Sequence, residues 1–318
     1  MAYILLVLGF VLLIKGADLF VDGSSNIARA LRVSPIIIGL TIVSLGTSSP
    51  EATISIIAAL EENTGVALGN VVGSNILNTS LVVGVAAFIY PLKVQSETIK
   101  KEIPFALLAT IVLLILISDV PLQGTTENLL TRGDGFIILL FFSIFLYYVF
   151  EVALNSRKNM NVESEEQKAT SWKKNILLTM GGLFGIILGG ELVVKNATAI
   201  ALALGMSQTL AGLTIVAIGT SLPELITSTT AALKKESEIA LGNIVGSNIF
   251  NIFFVLGTTA VIHPLAVNSE IIADIIFMIF LTITLLIFSR TDYEIGKLEG
   301  FFLVIAYVFY LIFIIIRN

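Results

Sequence analysis

Apolar positions along the chain gather into ten runs of about 20 residues, the length a helix needs to cross about 30 Å of hydrocarbon. Five lie near Tyr3 to Val21, Pro35 to Leu60, Val66 to Tyr90, Ile103 to Ile117 and Gly135 to Leu154. The other five lie near Ile176 to Val194, Thr209 to Leu233, Ile239 to Ile262, Ile271 to Phe288 and Leu298 to Ile316. Between the sets, Asn155 to Lys174 is polar and rich in both signs of charge. The pattern predicts an all-α membrane protein of ten transmembrane helices, with a first five-helix unit over 1–154, a linker over 155–174 and a second five-helix unit over 175–318. No basic residue precedes the first run and no small-residue cleavage site follows it, so it reads as a retained span and not as a signal peptide.

Two runs are interrupted in the same way. Gly46-Thr47-Ser48-Ser49-Pro50-Glu51 returns 173 residues later as Gly219-Thr220-Ser221-Leu222-Pro223-Glu224. At the same offset Asp18 matches Glu191, Ser34 matches Ser207, Gly39-Leu40-Thr41 matches Gly212-Leu213-Thr214, and Pro91 matches Pro264. Gly135-Phe136 matches Gly300-Phe301 at an offset of 165. The chain therefore reads as two copies of one unit, and an odd number of spans per copy makes the second an inverted repeat of the first. Loop charges agree. With both termini outside, the inside segments hold fourteen of the 18 basic residues and the outside segments hold only Arg132, Lys195 and Arg317, while Lys15 lies within the first span. The linker is then cytoplasmic.

The repeated interruption carries the candidate chemistry. Proline cannot donate a backbone hydrogen bond and crowds the carbonyl four residues before it, so each helix is expected to break there and free carbonyl oxygens. Pro50 and Pro223 then suit the first turn of a second half-helix, where the positive end of the helix dipole favours the carboxylates of Glu51 and Glu224. A carboxylate at bilayer depth costs roughly 2.5 to 3.5 kcal/mol, so two at matching positions imply a cation site. Thr47, Ser48 and Glu51 share one helix face and are expected to aim their oxygens at one point, as are Thr220, Ser221 and Glu224. A second motif follows each copy: Gly69-Asn70-Val71-Val72-Gly73-Ser74-Asn75-Ile76-Leu77-Asn78 and Gly242-Asn243-Ile244-Val245-Gly246-Ser247-Asn248-Ile249-Phe250-Asn251. Ser74 with Asn78, and Ser247 with Asn251, add neutral oxygens one turn apart. Calcium takes 6 to 8 oxygen ligands in flexible geometry, so dehydrated calcium or sodium suits this set better than magnesium.

Composition removes other chemistry. The chain is 56% hydrophobic and 13% charged, has no cysteine and has one histidine, His263, which excludes disulfides, thiolates and most zinc or copper sites. No HExxH and no paired intramembrane aspartates point to an enzyme. Asp18 with Lys15, and Glu191 with Lys195, are spaced for local ion pairs near helix ends. Asn70, Asn75, Asn243 and Asn248 read equally as ligands or as ties between helices.

The motif pair G-T-S-x-P-E and G-N-[VI]-V-G-S-N, in two halves of five spans, resembles the sodium/calcium exchangers of the calcium:cation antiporter superfamily, prokaryotic type, over nearly the whole chain. The resemblance implies antiport of calcium against sodium by alternating access, with no cofactor. It implies Glu51 and Glu224 as central ligands with Thr47, Ser48, Thr220 and Ser221 beside them. It further implies Ser74 and Ser247 toward sodium sites, backbone oxygens of Ser44 and Ala217, and Asn78 and Asn251 facing the glutamates. One position departs, since many relatives carry aspartate where this chain has Asn251. A proton-coupled calcium exchanger, or a cation channel, would share the broken helices. The implied partners are the two ions and a lipid bilayer, here a prokaryotic cytoplasmic membrane. Nucleic acid is not among them, and nothing requires more than a monomer.

Overall fold

A computed structural model describes residues 2–159, 171–205 and 217–317. The expected matches at Ser207 and at Gly212-Leu213-Thr214, and most of the linker, lie outside these residues. In chain order the elements are α1 (Ala2–Leu31), α2 (Pro35–Thr47), α3 (Ser49–Leu60), α4 (Thr64–Ile89), β1 (Leu92–Lys93), α5 (Ile103–Leu116), α6 (Asp119–Gln123), β2 (Leu129–Leu130) and α7 (Arg132–Asn159). They continue as α8 (Trp172–Ala203), α9 (Ala217–Thr220), α10 (Leu222–Leu233), α11 (Ser237–Ile262), β3 (Leu265–Ala266), α12 (Ser269–Arg290), β4 (Glu294–Ile295) and α13 (Lys297–Arg317). Among the described residues seven helices, α1, α4, α7, α8, α11, α12 and α13, are long and apolar enough to cross a membrane, while α2 and α3 are shorter apolar pieces.

The helix α1 outruns its apolar stretch by ten residues, because the window ends at Asp22 whereas the buried face continues through Gly23, Ser24, Ser25, Ile27 and Ala28. At 1.5 Å per residue its 30 residues span about 45 Å, more than the hydrocarbon thickness. Its partner is α8, and small residues set how close the two come. A Cβ on Gly182 would sit 2.5 Å from the Phe20 nitrogen and one on Gly16 would sit 2.7 Å from the Ile186 nitrogen, so backbone would have to move. Gly182→Val is accordingly expected to lose the monodisperse protein on size exclusion in detergent. Gly181→Val, with open space at the Cβ position, is expected to keep it.

The contacts repeat at the offsets seen in the sequence. Gly84 of α4 packs on Gly300 of α13, and at the matching positions Gly257 of α11 packs on Gly135 of α7. The strand β1 pairs antiparallel with β4, with Leu92 opposite Ile295, and β3 pairs antiparallel with β2, with Leu265 opposite Leu130. Each small sheet thus joins a loop of one half to a loop of the other. The helices α4 and α11 each take a π-helical turn, over 78–82 and 251–256, starting at the matching residues Asn78 and Asn251. Such turns frequently mark functional sites.

The ion pair expected between Lys15 and Asp18 does not form. Asp18 is bound by Lys234 from α10's far end, 216 residues away, at 2.7 Å. Among the described residues Glu191 and Lys195 do not pair either.

Candidate ion site

Each helix breaks two residues before its proline. Ser48 has φ −83° and ψ 6° and caps α3, with Pro50 and Glu51 in the first turn; Ser221 has φ −93° and ψ 10° and caps α10, with Pro223 and Glu224 in the first turn. Neither serine uses its hydroxyl to cap its own helix. The hydroxyls go elsewhere. Ser48 donates to Glu224 Oε1 at 2.8 Å, and Ser221 donates to Glu51 Oε1 at 3.0 Å. Each carboxylate is therefore held by the break in the opposite half, whereas the spacing alone suggested its own. Ser74 and Ser247 complete the sets, donating to Glu51 Oε1 at 3.3 Å and to Glu224 Oε1 at 3.5 Å, and Ser74 also lies 2.9 Å from Ser221 Oγ.

Glu51 and Glu224 have no exposed surface, and none of the ion pairs among the described residues involves either. In each, Oε1 takes the serine hydroxyls while Oε2 has no hydrogen-bond partner. The amide oxygen of Asn251 and both amide atoms of Asn78 are likewise buried without partners, one turn beyond Ser247 and Ser74. Buried oxygens of this kind are costly unless a partner compensates them. Two carboxylates without a protein cation and several unpartnered neutral oxygens therefore form one cluster of buried oxygen donors, the ligand type that calcium and sodium take.

The remaining expected residues divide between the site and its scaffold. Thr47 donates to Asn243 Oδ1 at 2.9 Å and, more loosely, to the Ser44 carbonyl at 3.4 Å. Ser44 turns its own hydroxyl back to the Leu40 carbonyl at 2.8 Å, leaving its backbone oxygen on the Thr47 side. Thr220 is buried, and Ala217 opens α9 at the position matching Ser44. The carbonyl of Gly46, expected to be freed by the break, accepts the Ser49 hydroxyl at 2.8 Å.

Asparagines tie the layers together. Asn70 donates to the Glu51 carbonyl at 3.2 Å and to Ser55 Oγ at 2.9 Å, and Asn243 donates to Ser228 Oγ at 2.9 Å, which is the matching pair. In sequence Ser55 is one serine in an apolar run, and its match with Ser228 at the 173-residue offset is the signal that sets it apart. Across the centre, Asn75 donates to the Asn248 carbonyl at 3.1 Å, Asn248 to Thr79 Oγ1 at 2.7 Å, and Asn251 to Asn75 Oδ1 at 3.1 Å.

Among the described residues Glu51 and Glu224 are carboxylates buried in an apolar helical bundle with no protein cation beside them, which marks an ion pathway. Residues 1–151 and 174–316 match the sodium/calcium exchanger protein family. The sodium/calcium exchanger MaX1 of Methanosarcina acetivorans is 34% identical, over 98% of this chain and 97% of its own length. Inner membrane protein YrbG of Escherichia coli is 37% identical over 83% of this chain and 81% of its own. The solved structure of the sodium-calcium exchanger NCX_Mj soaked with 10 mM Na+ and zero Ca2+ superposes with a TM-score of 0.83 at 32% identity, covering 97% of each chain. The chain belongs to the sodium/calcium exchanger family, and it is an integral membrane cation antiporter.

Proposed function

We propose that the protein exchanges calcium for sodium by alternating access around Glu51 and Glu224. The observation that carries this reading is the reciprocal set of bonds, Ser48 to Glu224 and Ser221 to Glu51, with the second oxygen of each carboxylate unpartnered. Two negative charges balance one calcium ion or two sodium ions, so both cargoes can compete for one set of oxygens. The roles of Thr47, Thr220, Ser74, Ser247, Asn78, Asn251 and the backbone oxygens of Ser44 and Ala217 as ligands belong to the same proposal. Calcium uptake into proteoliposomes is expected to follow an imposed inward-to-outward sodium gradient and not an equal potassium or proton gradient. Uptake that ignores sodium would overturn the reading in favour of proton coupling or a channel.

The proposed topology has ten spans in two inverted units of five. The seven long helices supply seven; α2 with α3, 98–116, and the segment ending in α10 supply the rest. Both termini lie outside and the linker inside. The pairing of β1 with β4 and of β3 with β2 supports it, because the offset that exchanges the halves also exchanges the two sheets. The chain has no cysteine, so single thiols can be placed at will. Asn63→Cys is expected to react with an impermeant maleimide on intact cells, and Asn155→Cys only after permeabilisation; the reverse order would invert the topology.

A further inference from the structure

The offset that relates the two halves also relates two long-helix-to-hairpin contacts, of which the structure closes one. The helix α1 packs along α10, whereas α8, the counterpart of α1, makes no comparable packing with α3, the counterpart of α10. At the packed end Lys234, directly after α10, lies 2.7 Å from Asp18 Oδ1 and 2.6 Å from Asp22 Oδ1, two carboxylates one turn apart on α1. Its ammonium also donates to the Asp18 carbonyl at 2.7 Å. Beside it Glu236 accepts from Ser25 Oγ and from Arg29, both at 2.7 Å, so α1 is strapped to the α10–α11 hairpin twice.

The open end carries the same parts. Glu61 directly follows α3 in the backbone setting of Lys234: its N–H donates to the Ile57 carbonyl at 3.0 Å, as that of Lys234 does to Thr230 at 3.0 Å. The next residues, Glu62 and Lys235, take matching left-handed φ angles of 59° and 63°. On α8, Glu191 and Lys195 stand where α1 has Asp18 and Asp22. Each end therefore owns one lysine and two carboxylates, with the lysine on the hairpin at one end and on the long helix at the other. Here Glu61, Glu191 and Lys195 are exposed, and none of them is in an ion pair among the described residues.

We infer that these are two alternating latches: Lys234 with Asp18 and Asp22 holds the cytoplasmic side shut, and Lys195 meets Glu61 when that triad opens and the outer side shuts. The sides named rest on the exchanger reading and its topology. Lys234 keeps 24% of its side-chain surface, Asp18 44% and Asp22 53%. Partly exposed pairs are individually weak, so one triad can break as the other forms with little net change, whereas a deeply buried pair would trap one state. Residues remote from the ion oxygens thereby set how the two openings are populated.

The test places Glu61→Cys and Lys195→Cys together in the otherwise cysteine-free protein and measures the rate of joining by a short thiol cross-linker in proteoliposomes. Adding Lys234→Met is expected to raise that rate about fivefold by weakening the inner triad. Asp22→Asn should act in the same direction, and serves if Lys234→Met does not yield monodisperse protein. A rate indifferent to both overturns the inference. In a second arm, Glu61→Lys and Lys195→Glu should each slow exchange and the double swap should restore it. Because these side chains do not touch in the present structure, a purely structural role gives no such rescue, and its absence also overturns the inference. Cross-linking does not depend on which ion is carried, so failure of the latch and failure of the sodium/calcium reading give separate results.

Discussion

Glu51→Gln and Glu224→Gln are each expected to reduce sodium-driven calcium uptake by more than about a hundredfold while leaving a folded, monodisperse protein. Each carboxylate is fully buried and none of the ion pairs among the described residues involves it, so the charge it contributes is available to a cargo cation. Removing one partner of a buried charge pair costs roughly 3 to 5 kcal/mol, and each 1.4 kcal/mol is a factor of ten. The amide keeps the shape, and loss of a buried charge lowers the cost of insertion, so the defect lies in transport and not in folding. Near-parental uptake by either variant, at equal reconstituted amounts, would remove that glutamate from the site.

Ser74→Ala and Ser247→Ala should differ, although the two serines match in sequence. Ser74 Oγ donates to Glu51 at 3.3 Å, lies within hydrogen-bonding distance of Ser221 Oγ at 2.9 Å and accepts from Asn251 at 3.4 Å. Among the described residues Ser247 Oγ makes one hydrogen bond, to Glu224 at 3.5 Å. A hydrogen bond to a charged group contributes roughly 1.5 to 3 kcal/mol, and a buried partner left unpaired adds to the loss. Exchange should fall about thirtyfold or more for Ser74→Ala and by less than about fivefold for Ser247→Ala. Equal losses in initial-rate uptake would mean that both serines serve the cargo alike and that the local network does not matter.

The parts of this site legible in sequence are those with a local cause. Proline at 50 and 223 dictates a break and a first helical turn, so the positions of Glu51 and Glu224 follow from the chain alone. What spacing cannot reveal is which half supplies a partner. Ser48 and Glu51 share a helix face, and that fact is silent on whether the hydroxyl turns to its own carboxylate or, as it does, to Glu224. Likewise Lys15 lies three residues from Asp18, yet Lys234 reaches it from 216 residues away, because α1 packs along α10 and a cross-helix cation approaches more directly. The π-helical turns at Asn78 and Asn251 have no signature in apolar periodicity and show only as polar residues in an apolar run.

The exchange of hydroxyls between the breaks bears on ancestry. Glu51 relies on Ser221, and Glu224 on Ser48, so neither half of the chain owns a complete shell for its carboxylate. On the proposed topology, a precursor of one five-helix unit would have built this site only as a pair of identical chains inserted in opposite directions, each lending its serine to the other. On that topology, joining the copies would fix the two orientations in one polypeptide. It would also free the copies to diverge, which they have done at Lys234 and Glu61, where opposite charges now sit on equivalent backbone.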